Sequence, residues 1–183
     1  MKKMTRQLDP QDFLKSYPAQ SVVLVCSRNG MVYNVAPYAW HMPISMDPPA
    51  LVIGVRRSRD TYANIMETGE FVVSVPGPEL VEDIDICARS IPRDRSEFDI
   101  AGLTPSPGKM IDTPGVLECQ VNIECRTMWN KEAGDHDVIA GRIVHVSLAD
   151  HLDPQVINRT HLRAVYHTAA GDVSYSRIGD PIR

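Results

Sequence analysis

Three short stretches of this sequence combine residue types and spacings that could do chemistry. The first is Arg56-Arg57-Ser58-Arg59-Asp60-Thr61. It leaves the apolar run Ala50-Leu51-Val52-Ile53-Gly54-Val55 and enters a segment of helical pattern. Free N–H groups and the positive end of the dipole make a helix start suited to an anion such as phosphate. Three guanidinium groups and two hydroxyls add charge-assisted and neutral donors at the same point. A basic surface turn ahead of an ordinary capping residue has the same composition, so the stretch alone leaves both readings open.

The second stretch is Asn34-Val35-Ala36-Pro37-Tyr38-Ala39-Trp40-His41. Proline cannot donate to a sheet ladder, so Pro37 marks an edge strand or a segment leaving the sheet. Backbone groups freed there can meet the polar rim of a flat heteroaromatic ring, with Tyr38 and Trp40 packed on it; a bulged edge with core aromatics reads equally well. The third is Asp135-His136-Asp137, where a histidine between carboxylates could exchange protons near neutral pH. A turn histidine bonded to nearby backbone is the plainer reading. The six histidines and four cysteines have no metal-ligand spacing, and no metal is expected. The dinucleotide, P-loop and hydrolase-elbow signatures are missing too.

The elements that must position these residues are mostly strands. Asp9 with Pro10 predicts a short capped helix stopped by Pro18. Ser21 to Ser27 and Met31 to Ala36 are strand-like runs, and Asn29-Gly30 between them predicts a type I′ hairpin. Residues 50–55 read as a buried strand. The segment from Ser58 to Gly69 reads as a helix, capped by Ser58 or Asp60 and stopped by Gly69. Residues 70–75 return as a strand, and Glu79 to Ser90 as an amphipathic helix. Ile91 to Pro114 is expected to be irregular. Two long strands follow, Val116 to Met128 and Val138 to Val146, turned at Gly134 to Asp137. On the first of them Val121, Ile123 and Cys125 share one face and Gln120, Asn122 and Glu124 the other. A polar tail begins at His151, with a short helix expected near Pro154 to Asn158. This order fits a closed or partly closed antiparallel barrel with short helices.

The chain has 183 residues and a net charge of −4. That length suits one domain, here 1–183 with a core of about 18–150 and a tail of 151–183. An acidic balance argues against a nucleic-acid partner. No apolar run reaches membrane-helix length, and Met1 to Gln7 lacks the apolar core of a signal peptide. Free cysteines in a cytoplasmic protein follow, each a small apolar core residue.

Taken together, the segments resemble the flavin reductase-like family of FMN-binding split barrels, which includes flavoredoxins. The pieces that carry this are Asn34-Val35-Ala36-Pro37-Tyr38, Ser45-Met46-Asp47-Pro48-Pro49, and Ser58-Arg59-Asp60-Thr61 with Asn64-Ile65. Also in order are 68–73, Ser96-Glu97-Phe98-Asp99, 101–105, Leu117-Glu118-Cys119 and Gly134-Asp135-His136. The resemblance implies a mainly β, antiparallel split barrel and a homodimer with one FMN per subunit near the interface. It implies that Asn34, Val35, Ala36, Pro37, Tyr38, Ala39 and Trp40 line the isoalloxazine ring, with Ser45 close by. Arg56, Ser58, Arg59 and Thr61 would hold the phosphate, and His136 would face the reactive side of the ring. Two positions depart from the pattern: Ala39, where many relatives have serine, and His41, where many have phenylalanine. Loss of that hydroxyl touches flavin turnover more than flavin binding.

The activity implied is an FMN-dependent oxidoreductase, moving electrons from NAD(P)H to flavin, a ferric complex or a protein such as a monooxygenase. A non-catalytic electron carrier or flavin store is the alternative, and a flavin-free scaffold a third.

Overall fold

The computed structural model describes residues 6–155, 157 and 162–167, with the backbone of 175–177. Pro10–Ser16 is a 3-10 helix, capped by Asp9, whose carboxylate accepts from Gln11 N; none of its residues is buried. Then come β1 (Gln20–Ser21), β2 (Val23–Asn29), β3 (Val32–Tyr38), β4 (His41–Met46) and β5 (Pro49–Arg56). Helix α1 (Asp60–Thr68) leads to β6 (Glu70–Val75), and a 3-10 turn at Pro78–Leu80 leads to α2 (Val81–Cys87). Next are α3 (Glu97–Ala101), the short β7 (Pro105–Ser106) and β8 (Gly115–Val116), and the long β9 (Val121–Ala133) and β10 (His136–Leu148). β11 (Val165–His167) and β12 (Tyr175–Arg177) add to β1 in a small separate sheet.

Seven strands form one antiparallel sheet in the order β3-β2-β6-β9-β10-β5-β4. β3 and β4 are consecutive in the chain, yet they occupy opposite edges. Laid flat, seven strands put the outer two about 29 Å apart. The chain from Tyr38 to His41 spans at most about 11 Å. The sheet must therefore curl until its edges meet at Ala39–Trp40. β3 and β4 do not pair, so the result is a barrel split along one seam, mainly β with short helices, as the sequence implies.

Burial follows from this curl. Val23, Val25, Leu51, Ile53, Phe71, Val73, Cys125 and Ile139 fill the barrel, with Ile65 of α1 packed among them. Val22, Leu24, Cys26, Val35 and Val72 point outward, under Ile84 and Cys87 of α2 and Phe98 of α3. Both faces of β2 are thus covered, which is why it reads as an unbroken apolar run rather than an alternating one. All four cysteines are buried and free. Burial pushes their thiols up, to about 12 for Cys26, Cys87 and Cys125.

Several boundaries differ from expectation for identifiable reasons. The β2–β3 hairpin pairs Asn29 with Val32, so its central residues are Gly30 and Met31. Only Gly30 has a positive φ, of 58°, which fits a type II′ turn and not type I′. The N-cap of α1 is Arg59, with no side-chain cap; its stop at Gly69 (φ 68°) is as expected. β9 starts at Val121 because residues 117–120 turn the chain after β8. Cys119 therefore lies off that strand.

The polar face of β9 is not solvated either. Glu124 is buried and accepts Lys109 N and Met110 N, both at 2.7 Å. Asn122 Oδ1 accepts Val116 N at 2.9 Å. The segment expected to be irregular packs over that face through these bonds, and it contains α3. In the tail, Pro154 and Gln155 lie in a turn, while residues 156 and 158 of the expected helix lie outside the described residues, as does the extreme N-terminus.

Candidate functional site

A cleft of about 510 Å³ opens on the seam of the barrel. Its position follows from the local sequence. Pro37 gives β3 a residue without a donor on an edge strand, Ala39 and Trp40 cross the seam, and α1 begins where β5 ends. Of the residues singled out by sequence, Asn34, Ala36, Pro37, Tyr38, Ala39, Trp40, Arg56, Ser58, Arg59, Thr61 and His136 line this cleft. Val35 and Ser45 do not. The Val35 side chain sits in the core, on the opposite face of β3, and Ser45 lies further along β4 against Ala50.

The start of α1 faces the cleft with its first-turn N–H groups uncapped by any side chain. The Arg59 guanidinium makes no ion pair or hydrogen bond with another described residue. The three-arginine cluster is divided, however. Arg57 turns away, donating through Nε to Asp137 Oδ1 at 2.6 Å and pairing with Glu132 at 2.9 Å. Asp137 also accepts from Tyr62 Oη at 3.0 Å and Asn130 Nδ2 at 3.2 Å. Burial raises the Asp137 carboxyl, but these donors outweigh it and hold it below the ordinary range. Arg89, at the exit of α2, lines the cleft in place of Arg57.

Thr61 is not an exposed phosphate donor. It is 2% exposed, and its hydroxyl donates to Asn34 Oδ1 at 3.0 Å. Asn34 Oδ1 also accepts from Ser27 Oγ at 3.1 Å, and Ser27 in turn accepts from Asn64 Nδ2 at 3.1 Å. Asn34 Nδ2 donates to Glu97 Oε2 at 2.9 Å, and Val35 N reaches the same oxygen at 3.3 Å. Glu97, 6% exposed, also lines the cleft. The β3 edge thus offers a ligand no free donor between 35 and 37: Val35 N–H is taken and Pro37 has none.

The opposite wall is aromatic. Trp40 lies with its ring centroid 4.5 Å from that of His136. Trp40 packs over Gly54, where an added Cβ would stand 3.3 Å from its own Cβ, and Trp40 O accepts Gly54 N at 2.8 Å. His136 Nδ1 bonds Asp135 Oδ1 at 2.8 Å, which leaves Nε2 as its other ring nitrogen. That bond holds the Asp135 carboxyl below its ordinary range, and Arg56, 3.3 Å away, adds to the effect. Burial pushes the Tyr38 phenol up to about 12, against the opposing Thr61 hydroxyl and Arg59 charge. His41 donates through Nε2 to Ser21 O at 2.9 Å and so ties β4 to β1 across the seam. Its own burial lowers the ring's affinity for a second proton.

The sequence matches the family described as flavin reductase like domain over residues 15–168. The chain belongs to that family. It is 36% identical over 134 residues to an uncharacterized protein of Archaeoglobus fulgidus, covering 73% of this chain and 75% of the relative. Among solved structures it is similar to nitrilotriacetate monooxygenase component B from Bacillus cereus, at 26% identity and a TM-score of 0.86 over 99% of each chain. The flavoredoxin of Desulfovibrio vulgaris shares the fold, with a TM-score of 0.81 at 24% identity over 100% of this chain and 96% of that one. The flavin reductase-like split barrel is therefore the fold of this chain.

Five further residues of the cleft carry no local signal that separates them from ordinary neighbours. Gly54 sits mid-strand, Glu97 falls in the stretch expected to be irregular, and Arg89 lies at the end of the expected amphipathic helix. Tyr17 and His167 arrive from the two ends of the described chain. Only the closure of the barrel brings them together.

Proposed function

We propose that this chain is an FMN-dependent oxidoreductase. It takes electrons from NADH or NADPH and passes them to free flavin, a ferric complex or a protein such as a monooxygenase component. The observation that carries this reading is one cleft joining a helix start without a side-chain cap, an arginine unpaired among the described residues and an aromatic wall of Trp40 and His136. These residues fit an elongated anion with a planar ring. The volume lies within the usual range for cofactor sites.

Arg56, Ser58, Arg59 and the first-turn N–H groups of α1 would hold the phosphate, and Ala36 to Trp40 the ring. FMN, when bound, supplies the hydride and electron chemistry. The chain's own part is to bind, orient and exclude water, with His136, steadied by Asp135, able to hold a proton at Nε2. The oxidised-flavin absorption bands of the protein mixed with FMN, and their bleaching by NADH or NADPH without oxygen, test the reading. A colourless protein that leaves added FMN unbound overturns it.

Ala39 in the cleft wall favours a second reading, a non-catalytic electron carrier or flavin store. A carrier keeps its bands in NAD(P)H and loses them only with a reduced protein partner.

The working unit in this proposal is a homodimer in the cytoplasm. Buried free thiols suit a reducing compartment. No helix among the described residues is long and apolar enough to cross a membrane. β4, a sheet edge, shows Met42, Ile44 and Met46 at 58%, 40% and 91% exposure, an apolar strip suited to a second copy. Ile44→Asp is expected to turn a dimer into a monomer in sedimentation velocity, with the circular dichroism spectrum unchanged. A sedimentation coefficient equal to that of the wild type would remove β4 from the interface.

A further inference from the structure

Of the charged side chains in the cleft that the function proposed above leaves unused, Asp60 and Arg89 reach solvent and Glu97 is buried. Glu97 is nearly enclosed, yet it borders the cavity. Its carboxylate accepts Asn34 Nδ2 and Val35 N, so it grips β3 at the strip that forms one wall. Asn34 is then locked from its other side by Thr61 and Ser27, and Arg93 anchors the far end of the chain of bonds at Asn64 Oδ1, 3.1 Å away. The network ties β3 to α1, α3 and the loop before α3. Burial pushes the Glu97 carboxyl above its ordinary range, and the charge of Asp60 on α1 adds to this; the donors Val35 N and Asn34 Nδ2 act the other way, favouring the ionised form. From α2, the group facing it is the Cys87 thiol, itself pushed up by burial and by Glu97.

A buried charge acts through a medium that screens weakly, whereas the exposed Arg56, Arg59 and Arg89 are screened by water and salt. We propose that Glu97 is a positioning residue that also sets the redox preference of the cleft. Its carboxylate pins the β3 wall through Asn34 and Val35 and places a fixed negative charge beside the ligand, disfavouring the reduced, more electron-rich form of a flavin. This rests on the flavin reading.

The test uses the full chain at pH 8 with FMN as the probe. Affinity is measured for oxidised and for dithionite-reduced FMN, in wild type, Glu97→Gln and Glu97→Ala. Glutamine keeps the shape and an acceptor oxygen but loses the charge. Glu97→Gln is expected to bind oxidised FMN within threefold of wild type. Its preference for reduced over oxidised FMN rises at least threefold, seen also as a more positive midpoint potential. Glu97→Ala loses the grip as well and binds oxidised FMN at least tenfold more weakly. A Glu97→Gln protein with the wild-type ratio and potential overturns the charge, and a Glu97→Ala protein with wild-type affinity overturns the positioning. If Glu97→Ala does not fold, Glu97→Gln alone decides. Wild type that binds no FMN defeats the flavin reading itself, a distinct outcome.

Discussion

Arg59→Glu is expected to weaken FMN binding about a hundredfold while leaving thermal stability unchanged. Arg59 is the N-cap of α1 and makes no ion pair with another described residue, so its charge supports nothing in the fold. In the proposed site it is a charge-assisted donor to phosphate, an interaction worth about 1.5–3 kcal/mol. Reversal removes that bond and adds repulsion at a helix start whose field favours anions. A hundredfold corresponds to about 2.7 kcal/mol. Quenching of flavin fluorescence measures it, and riboflavin is the control because it lacks the phosphate. Equal losses for FMN and riboflavin would place the phosphate elsewhere. Thr61 does not belong in this experiment. Its hydroxyl is committed to Asn34, so replacing it disturbs the β3 wall instead of an anion contact.

Gly141→Ala is expected to destabilise the barrel by about 2–3 kcal/mol without touching the cleft. Gly141 lies on β10 at a register shift against β9. A Cβ built there would stand 2.8 Å from Phe71 Cε1 and 2.9 Å from Cys125 Cβ. Phe71 and Cys125 are both fully enclosed in the barrel interior. A ring on the surface would swing aside, but here every neighbour is packed, so the added methyl must shift the β9–β10 pairing. The urea midpoint should fall at an unchanged slope, and FMN affinity in dilute denaturant-free buffer should hold. A midpoint equal to that of wild type would mean the bulge can absorb the atom.

These two positions show what the sequence reveals and what it hides. The helix start at 56–61 was legible because strand end, basic residues and hydroxyls are neighbours in the chain. The hairpins were legible because glycine marks them, though not their type: Asn29 pairs in the ladder, and Gly30 takes the positive φ. What could not be read is anything decided by distance in space. Arg57 looks like its two arginine neighbours until β10 brings Asp137 beside it. Glu124 reads as a solvated strand residue until the loop at 109–110 lays two amide groups on it. Thr61 and Ser45 follow the family's pattern in sequence, yet one is buried in a network and the other lies outside the cleft.

The seam at Ala39–Trp40 couples occupancy to opening. A barrel closed by ladder bonds all the way round has no weak meridian, but this one has: β3 and β4 share no ladder bonds and are joined by the linking residues Ala39 and Trp40, beside which His41 of β4 bonds Ser21 of β1. Parting those edges exposes backbone along the very line where a ligand would sit. Ligand and seam therefore share one equilibrium, and a ligand at a hundred times its Kd holds the closed form by about 2.7 kcal/mol. In the proposed site FMN would then act as a removable strut across the seam.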